Sequence, residues 1–202
     1  GIVRIVYGSG TSTHNVDFLE ASDAILSVLE SNRNVHFRLV GELDLPESFG
    51  RVKHQIERVP LCTYKEYLGI LAECDISIAP LEDYIFNDSK SNIKFIEASI
   101  VGLPSLCSPR PNFTSVINNG ENGFICQSKE DWEDALNILI NDANLRNSMG
   151  SRARDTVLKK YSPEHIAEEQ VTEIIKSFKR HLKDEKKHVM SVNCFYSPRS
   201  FG

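Results

Sequence analysis

The chain has 202 residues, 41% hydrophobic and 25% charged, which suffices for one well-packed domain with appendages. Its net charge of −5 argues against nonspecific nucleic-acid binding, which needs a basic face, and no apolar run approaches the roughly 20 residues that span a bilayer. Cys62, Cys74, Cys107, Cys126 and Cys194 lack metal-ligand spacing and read as reduced core thiols, and the six histidines form no HxH or HExxH pair. A cytoplasmic globular protein without a bound metal is expected. Because the chain opens on Gly1 and goes straight into a strand, it is expected to be a segment of something longer.

Ile2–Tyr7 is an apolar strand entering the glycine turn Gly8-Ser9-Gly10-Thr11. Asn15–Leu29 carries Val16, Leu19, Ile25, Leu26 and Leu29 at helical spacing. Val35–Val40 is a second strand, and the acidic stretch 42–50, with its proline and glycine, is a loop. Ile56–Val59 is a weaker third strand, Thr63 caps a helix that runs to Cys74, and Ile76–Pro80 is the fourth strand. The spacing of Ile93, Ile96 and Ile100 predicts a helix over Asn87–Val101, with Asp88, Ser89 or Ser91 as its cap and Gly102-Leu103-Pro104 as its stop. Leu103–Cys107 and Gly123–Cys126 are the fifth and sixth strands, with a short helix over Phe113–Asn118 between them.

Beyond Ser128 the pattern is helical throughout. One amphipathic helix holds Trp132, Ala135, Leu136, Leu139 and Ile140; two more cover Leu145–Tyr161 and Pro163 to about Lys183. The expected organisation is a main domain over 1–182, a charged linker over 183–188 and, over 189–202, the first strand of a following domain. An edge strand or disordered end of the main domain is the competing reading of that tail.

Strands alternating with helices predict βαβ units, and continuous apolar strands predict a parallel sheet covered on both faces. The fold class expected is therefore α/β, a doubly wound, Rossmann-like, six-stranded parallel sheet with C-terminal helices. Such sheets bind ligands at the carboxyl ends of their strands, where 8–14, 80–91 and 108–112 converge. Gly8, Ser9, Gly10 and Thr11 form a turn suited to a phosphate, with His14 beside it. Lys90 and Lys94 add positive charge where Ser91 and Asn92 open a helix, and Lys90, expected in its first turn, is the stronger functional candidate. Glu97, further in, can accept hydrogen bonds from vicinal hydroxyls, so the set describes a nucleotide site. Glu82 and Asp83 read as a polar loop with a weaker claim on sugar hydroxyls, and Asn119–Gly123 as a turn.

The stretches VYGSGTSTHNVDFLEA, RLVG, CDISIAPLEDYIFNDSKSNIKFIEASIVGLP and NNGENGFIC resemble, in order and spacing, the C-terminal nucleotide-sugar-binding half of a retaining GT-B glycosyltransferase. The likeness covers about Ile2 to Phe178 and is narrowest to the "group 1" family, in its O-antigen, capsule and rhamnan-assembly branch. It implies that Glu97 is the second glutamate of an E-x7-E motif and binds the donor ribose. The first glutamate falls on Ser89, and the Arg and Lys common in the first glycine loop fall on Ser9 and His14. The KSxxK pattern of this branch is intact as Lys90, Ser91 and Lys94. The resemblance further implies a UDP-, GDP- or dTDP-sugar donor, no metal cofactor, and a glycan or lipid-linked acceptor held by an N-terminal domain preceding Gly1. Peripheral association of the full-length protein with the inner face of the membrane is expected on the same ground. A sugar-nucleotide 2-epimerase domain shares this architecture, and an inactive nucleotide-binding module is a third reading motivated by Ser9 and Ser89.

Overall fold

The computed structural model describes residues 1–10, 15–85 and 90–193, with side chains as far as 179 apart from that of Asn15. Six strands are present: β1 (Val3–Gly10), β2 (Val35–Gly41), β3 (Ile56–Val59), β4 (Ile76–Ala79), β5 (Ser105–Cys107) and β6 (Phe124–Ile125). The helices are α1 (Asn15–Ser31), α2 (Tyr64–Ala72), α3 (Ile93–Ile100), α4 (Pro111–Thr114), α5 (Lys129–Asn141), α6 (Ala143–Tyr161) and α7 (Pro163–Asn193). All neighbouring strands pair in parallel, in the order β3-β2-β1-β4-β5-β6. This is the doubly wound α/β sheet that the sequence predicts. The order reverses between β1 and β4, which opens a crevice at their carboxyl ends.

Side chains alternate between the two faces of each strand. Val3, Ile5 and Tyr7 of β1, with Val35, Phe37 and Leu39 of β2, join Phe18, Ile25 and Leu29 of α1 and Trp132 and Leu136 of α5 in the main core. Val6 and Val40 face the other way, against Leu71, Ala98 and Leu103. Further toward the amino ends of β1–β3, this second face carries Arg4, His36, Arg38 and Glu57. Helix α2 starts as expected: Thr63 accepts from the Glu66 backbone N–H while the Glu66 carboxylate accepts from that of Thr63, a reciprocal cap.

Several expectations are corrected. The predicted loop after β2 contains 3₁₀-helical turns over Glu47–Gln55, kinked at Val52, which bury Phe49, Val52 and Gln55. Helix α3 begins at Ile93, not Asn87; Asn92 holds the cap position without a side-chain capping bond to the helix, and Lys90 and Ser91 precede the helix. The Asp88 and Ser89 caps lie outside the described residues. Helix α4 begins at Pro111, a residue whose fixed φ suits the first helical position, and ends by Thr114.

The chain divides into two compact units, Gly1–Leu158 and Lys159–Gly202. In the second, α7 continues through the charged run 183–187 to Asn193, so the expected linker is helical, as is the start of the strand expected at Val189. The physical reason is composition: no proline or glycine interrupts Glu164–Asn193, and its many Lys and Glu residues favour helix. The rest of that tail, 194–202, lies outside the described residues. Among the described residues, no helix is long and apolar enough to cross a membrane.

Candidate functional site

A cavity of about 360 Å³ opens at the carboxyl ends of β1 and β2, beside α3. Of the predicted residues, Gly8, Ser9, Gly10, Lys94 and Glu97 line it. Gly8 lets the hydroxyl end of Tyr67 lie directly over the backbone; a Cβ there would require that end of the ring to move. Gly10 adopts φ +66°, the left-handed region that frees the chain to turn after β1. Ser9 is buried, and its hydroxyl donates to the Glu42 carbonyl at 2.6 Å, so it presents backbone rather than side chain to a ligand. Thr11 and His14 lie outside the described residues.

Glu97 is the fifth residue of α3 and half-buried in the cavity wall. Burial pushes its carboxyl up, and the Lys94 ammonium opposes that shift only in part. A carboxylate in this condition gains from any ligand that brings hydroxyl donors. Lys94 donates from Nζ to the Gly8 carbonyl at 2.8 Å, and the same ammonium stands 4.3 Å above the centre of the Tyr7 ring. Lys94 as a whole residue is partly exposed. Burial pushes Lys94 down to about 8, with Asp17 and Glu97 opposing and Lys90 assisting.

Lys90 and Ser91 line a second cavity of about 220 Å³, which shares Ile93 and Lys94 with the first. Lys90 is held by Asp17, its Nζ 3.1 Å from Oδ2. Asp17, only 4% exposed, also accepts the Glu82 backbone N–H on Oδ1 at 3.0 Å. One buried carboxylate on α1 thus ties down the loop after β4 and the lysine before α3.

Sequence reasoning missed Asp17 because an acid in the first turn of a helix is ordinary in itself. It missed Leu61, Tyr64 and Tyr67 as well, which line the larger cavity; the signal available was their position just after β3, on the same carboxyl edge. The Asp83 carboxylate pairs with Arg110, which holds it below the usual carboxylate range. Asn119–Gly123 is a turn, with Gly120 at positive φ and Asn122 bonded to the Asn118 backbone N–H and the Val116 carbonyl. Of the cysteines expected in the core, Cys107 and Cys126 are buried, Cys74 is intermediate, Cys62 is exposed at the cavity, and Cys194 lies outside the described residues. Among the described residues, no group of three His, Cys, Asp or Glu could hold a metal ion.

A doubly wound parallel sheet with a largely apolar cavity carrying a few polar groups at the carboxyl edge of its strands, beside the switch point, defines the class of nucleotide-binding α/β domains. The chain belongs to the glycosyl transferase-like family, whose model matches residues 22–172. No curated protein matches it by sequence. Among solved structures, it resembles the C-terminal domain of a glycosyl transferase group 1 family protein, LpcC from Francisella tularensis: 18% identity, TM-score 0.65, covering 80% of this chain and 87% of that one. It resembles HepE from Anabaena in complex with UDP and glucose, with 18% identity and TM-score 0.66 over 87% of this chain and 48% of that one. WaaG, a glycosyltransferase involved in lipopolysaccharide biosynthesis, matches with 18% identity and TM-score 0.63 over 86% of this chain and 47% of that one. The chain thus spans about half the length of HepE and WaaG, and its fold is that of a GT-B C-terminal domain.

Proposed function

We propose that the chain is the donor-binding domain of a retaining glycosyltransferase that moves a sugar from a nucleotide sugar to a growing surface polysaccharide. The observation that carries this reading is the convergence of Gly8, Lys94 and Glu97 on one cavity at the carboxyl ends of β1 and β2, beside the point where the strand order reverses. UDP in the HepE structure and the lipopolysaccharide role of WaaG support it. Retaining transfer passes through an oxocarbenium-like state as a diphosphate departs, so cations near the leaving oxygens contribute most. On this reading Glu97 accepts the ribose hydroxyls, the Gly8–Gly10 backbone approaches the phosphates, and lysine charge meets the diphosphate. The donor is a UDP-, GDP- or dTDP-sugar, no metal is required, and the glycan or lipid-linked acceptor is held by a further domain.

The test is a binding panel of UDP-, GDP- and dTDP-sugars. One class should bind, and Glu97→Ala should weaken it by about 1.5–3 kcal/mol, the range for hydrogen bonds to a charged group, which is about tenfold or more. Unchanged affinity in a folded variant would sink the ribose assignment, and no binding by the wild-type chain would sink the donor-domain reading.

A further inference from the structure

The two lysines on the crevice are one helical turn apart in sequence but differ in what surrounds them. Lys90 faces a carboxylate: Asp17 lies within ion-pair distance and is itself almost fully buried. The pair is close to neutral as seen by an incoming anion. Lys94 reaches deeper and meets only a neutral carbonyl at 2.8 Å and the face of Tyr7. Among the described residues no carboxylate lies within ion-pair distance of it. A buried cation whose carboxylates, Asp17 and Glu97, act on it only from beyond ion-pair distance is costly to maintain, and it sits in the wall shared by the two cavities. A bound dianion would supply the missing charge.

We propose that Lys94, rather than Lys90, is the cation that receives the donor's diphosphate, and that Asp17 is a positioning residue that keeps Lys90 from that role. The inference rests on the donor-domain reading above. Its chemistry is a charge-assisted hydrogen bond from Nζ to a phosphate oxygen, on the side of the ammonium left open by the Gly8 carbonyl. The titratable and charged groups acting on Lys94 are Asp17 from α1, Lys90 and Glu97 on its own segment, and the buried Cys107 thiol of β5; Tyr7 of β1 lies beneath it. Because Lys94 is pushed down to about 8, a diphosphate that favours its charged form should draw protons onto it. Affinity should therefore fall as pH rises through about 8 and beyond. Phosphate groups have already lost their last proton near pH 6, so this fall would not come from the phosphates, and the nucleoside measured alongside controls for titration of the base.

Calorimetry on the full chain distinguishes the possibilities, using UDP, GDP and dTDP and their nucleosides at pH 7 and pH 9. Lys94→Met should lose tenfold or more in affinity for the diphosphate that binds best, and less than threefold for its nucleoside. Lys90→Met should lose less than threefold for both. For the wild type at pH 8.5, heats in buffers of different ionisation enthalpy should show net proton uptake on binding the diphosphate. If Lys90→Met loses as much diphosphate affinity as Lys94→Met, or if Lys94→Met weakens nucleoside and diphosphate equally, the assignment is overturned. Should Lys94→Met fail to fold, the wild-type measurement decides, and an absence of proton uptake overturns the proposal. If none of the three diphosphates binds the wild-type chain, the donor-domain reading itself fails, which is a different result from binding without the Lys94 signature.

Discussion

Two groups of charges lie on this sheet, and they are built on opposite terms. On the open face at the amino ends of β1–β3, the Glu57 carboxylate accepts from Arg38 at 2.8 Å, His36 at 3.1 Å and Arg4 at 3.2 Å. Arg38 also reaches Glu73 at 2.9 Å, and Asp75 takes the Arg4 backbone N–H at 2.8 Å with Arg146 at 3.6 Å. Against the upward push of burial, the bonds from Arg38, His36 and Arg4 hold Glu57 below the usual carboxylate range. At the carboxyl edge, Lys94 has a carbonyl and a ring, Glu97 is pushed up, and the buried Tyr7 hydroxyl has no partner among the described residues. The first group is a finished structure. The second is unfinished in the way a site is that waits for a ligand.

The largest expected effect comes from breaking the finished group. Glu57→Ala leaves Arg4 and His36 without the acceptor they share and Arg38 with Glu73 alone. Losing one partner of a buried ion pair costs about 3–5 kcal/mol, and with Glu57 27% exposed we expect about 2 kcal/mol. Urea unfolding should show this loss, while nucleotide affinity in the folded variant stays at the wild-type value. A parallel loss of nucleotide affinity would mean that the two regions are coupled. The sign with pH is fixed by the depressed carboxyl of Glu57: its contribution is present above the unfolded carboxylate range and disappears as pH falls through its folded value.

The contrast was only half legible in the sequence. Gly8 and Glu97 could be read because a turn after a strand and a carboxylate inside the next crossover follow from topology alone. The ranking of the lysines could not, because it is set by Asp17, 73 residues away from Lys90 in the chain and brought beside it by α1. The Glu57 group left a trace in VHFRLV, where His36 and Arg38 alternate with apolar residues, but its three donors come from two strands and its acceptor from a third. The 3₁₀ segment was hidden behind Pro46 and Gly50, which punctuate a loop equally well. Helix α7 was cut short because a charged run reads alike as a linker and as a solvated helix.

A smaller effect of opposite sign is expected from the unfinished group. Lys94→Met keeps the length of the side chain and removes a deep ammonium that, among the described residues, has no carboxylate within ion-pair distance. At pH 7 the substitution should raise Tm by about 2–4 °C, which corresponds to about 1 kcal/mol for a chain of this size. The pH dependence separates this cause from a mere improvement in packing. Lys94 is depressed from 10.5 to about 8, so between those values the unfolded chain binds more protons than the folded one, and wild-type stability rises with pH. The variant lacks this term. Its advantage should therefore shrink steadily from pH 8 to pH 10, as the wild-type lysine comes to be folded in its neutral form. A gap that stays constant with pH would assign the stabilisation to packing, and would leave Lys94 without the uncompensated charge on which its role at the diphosphate depends.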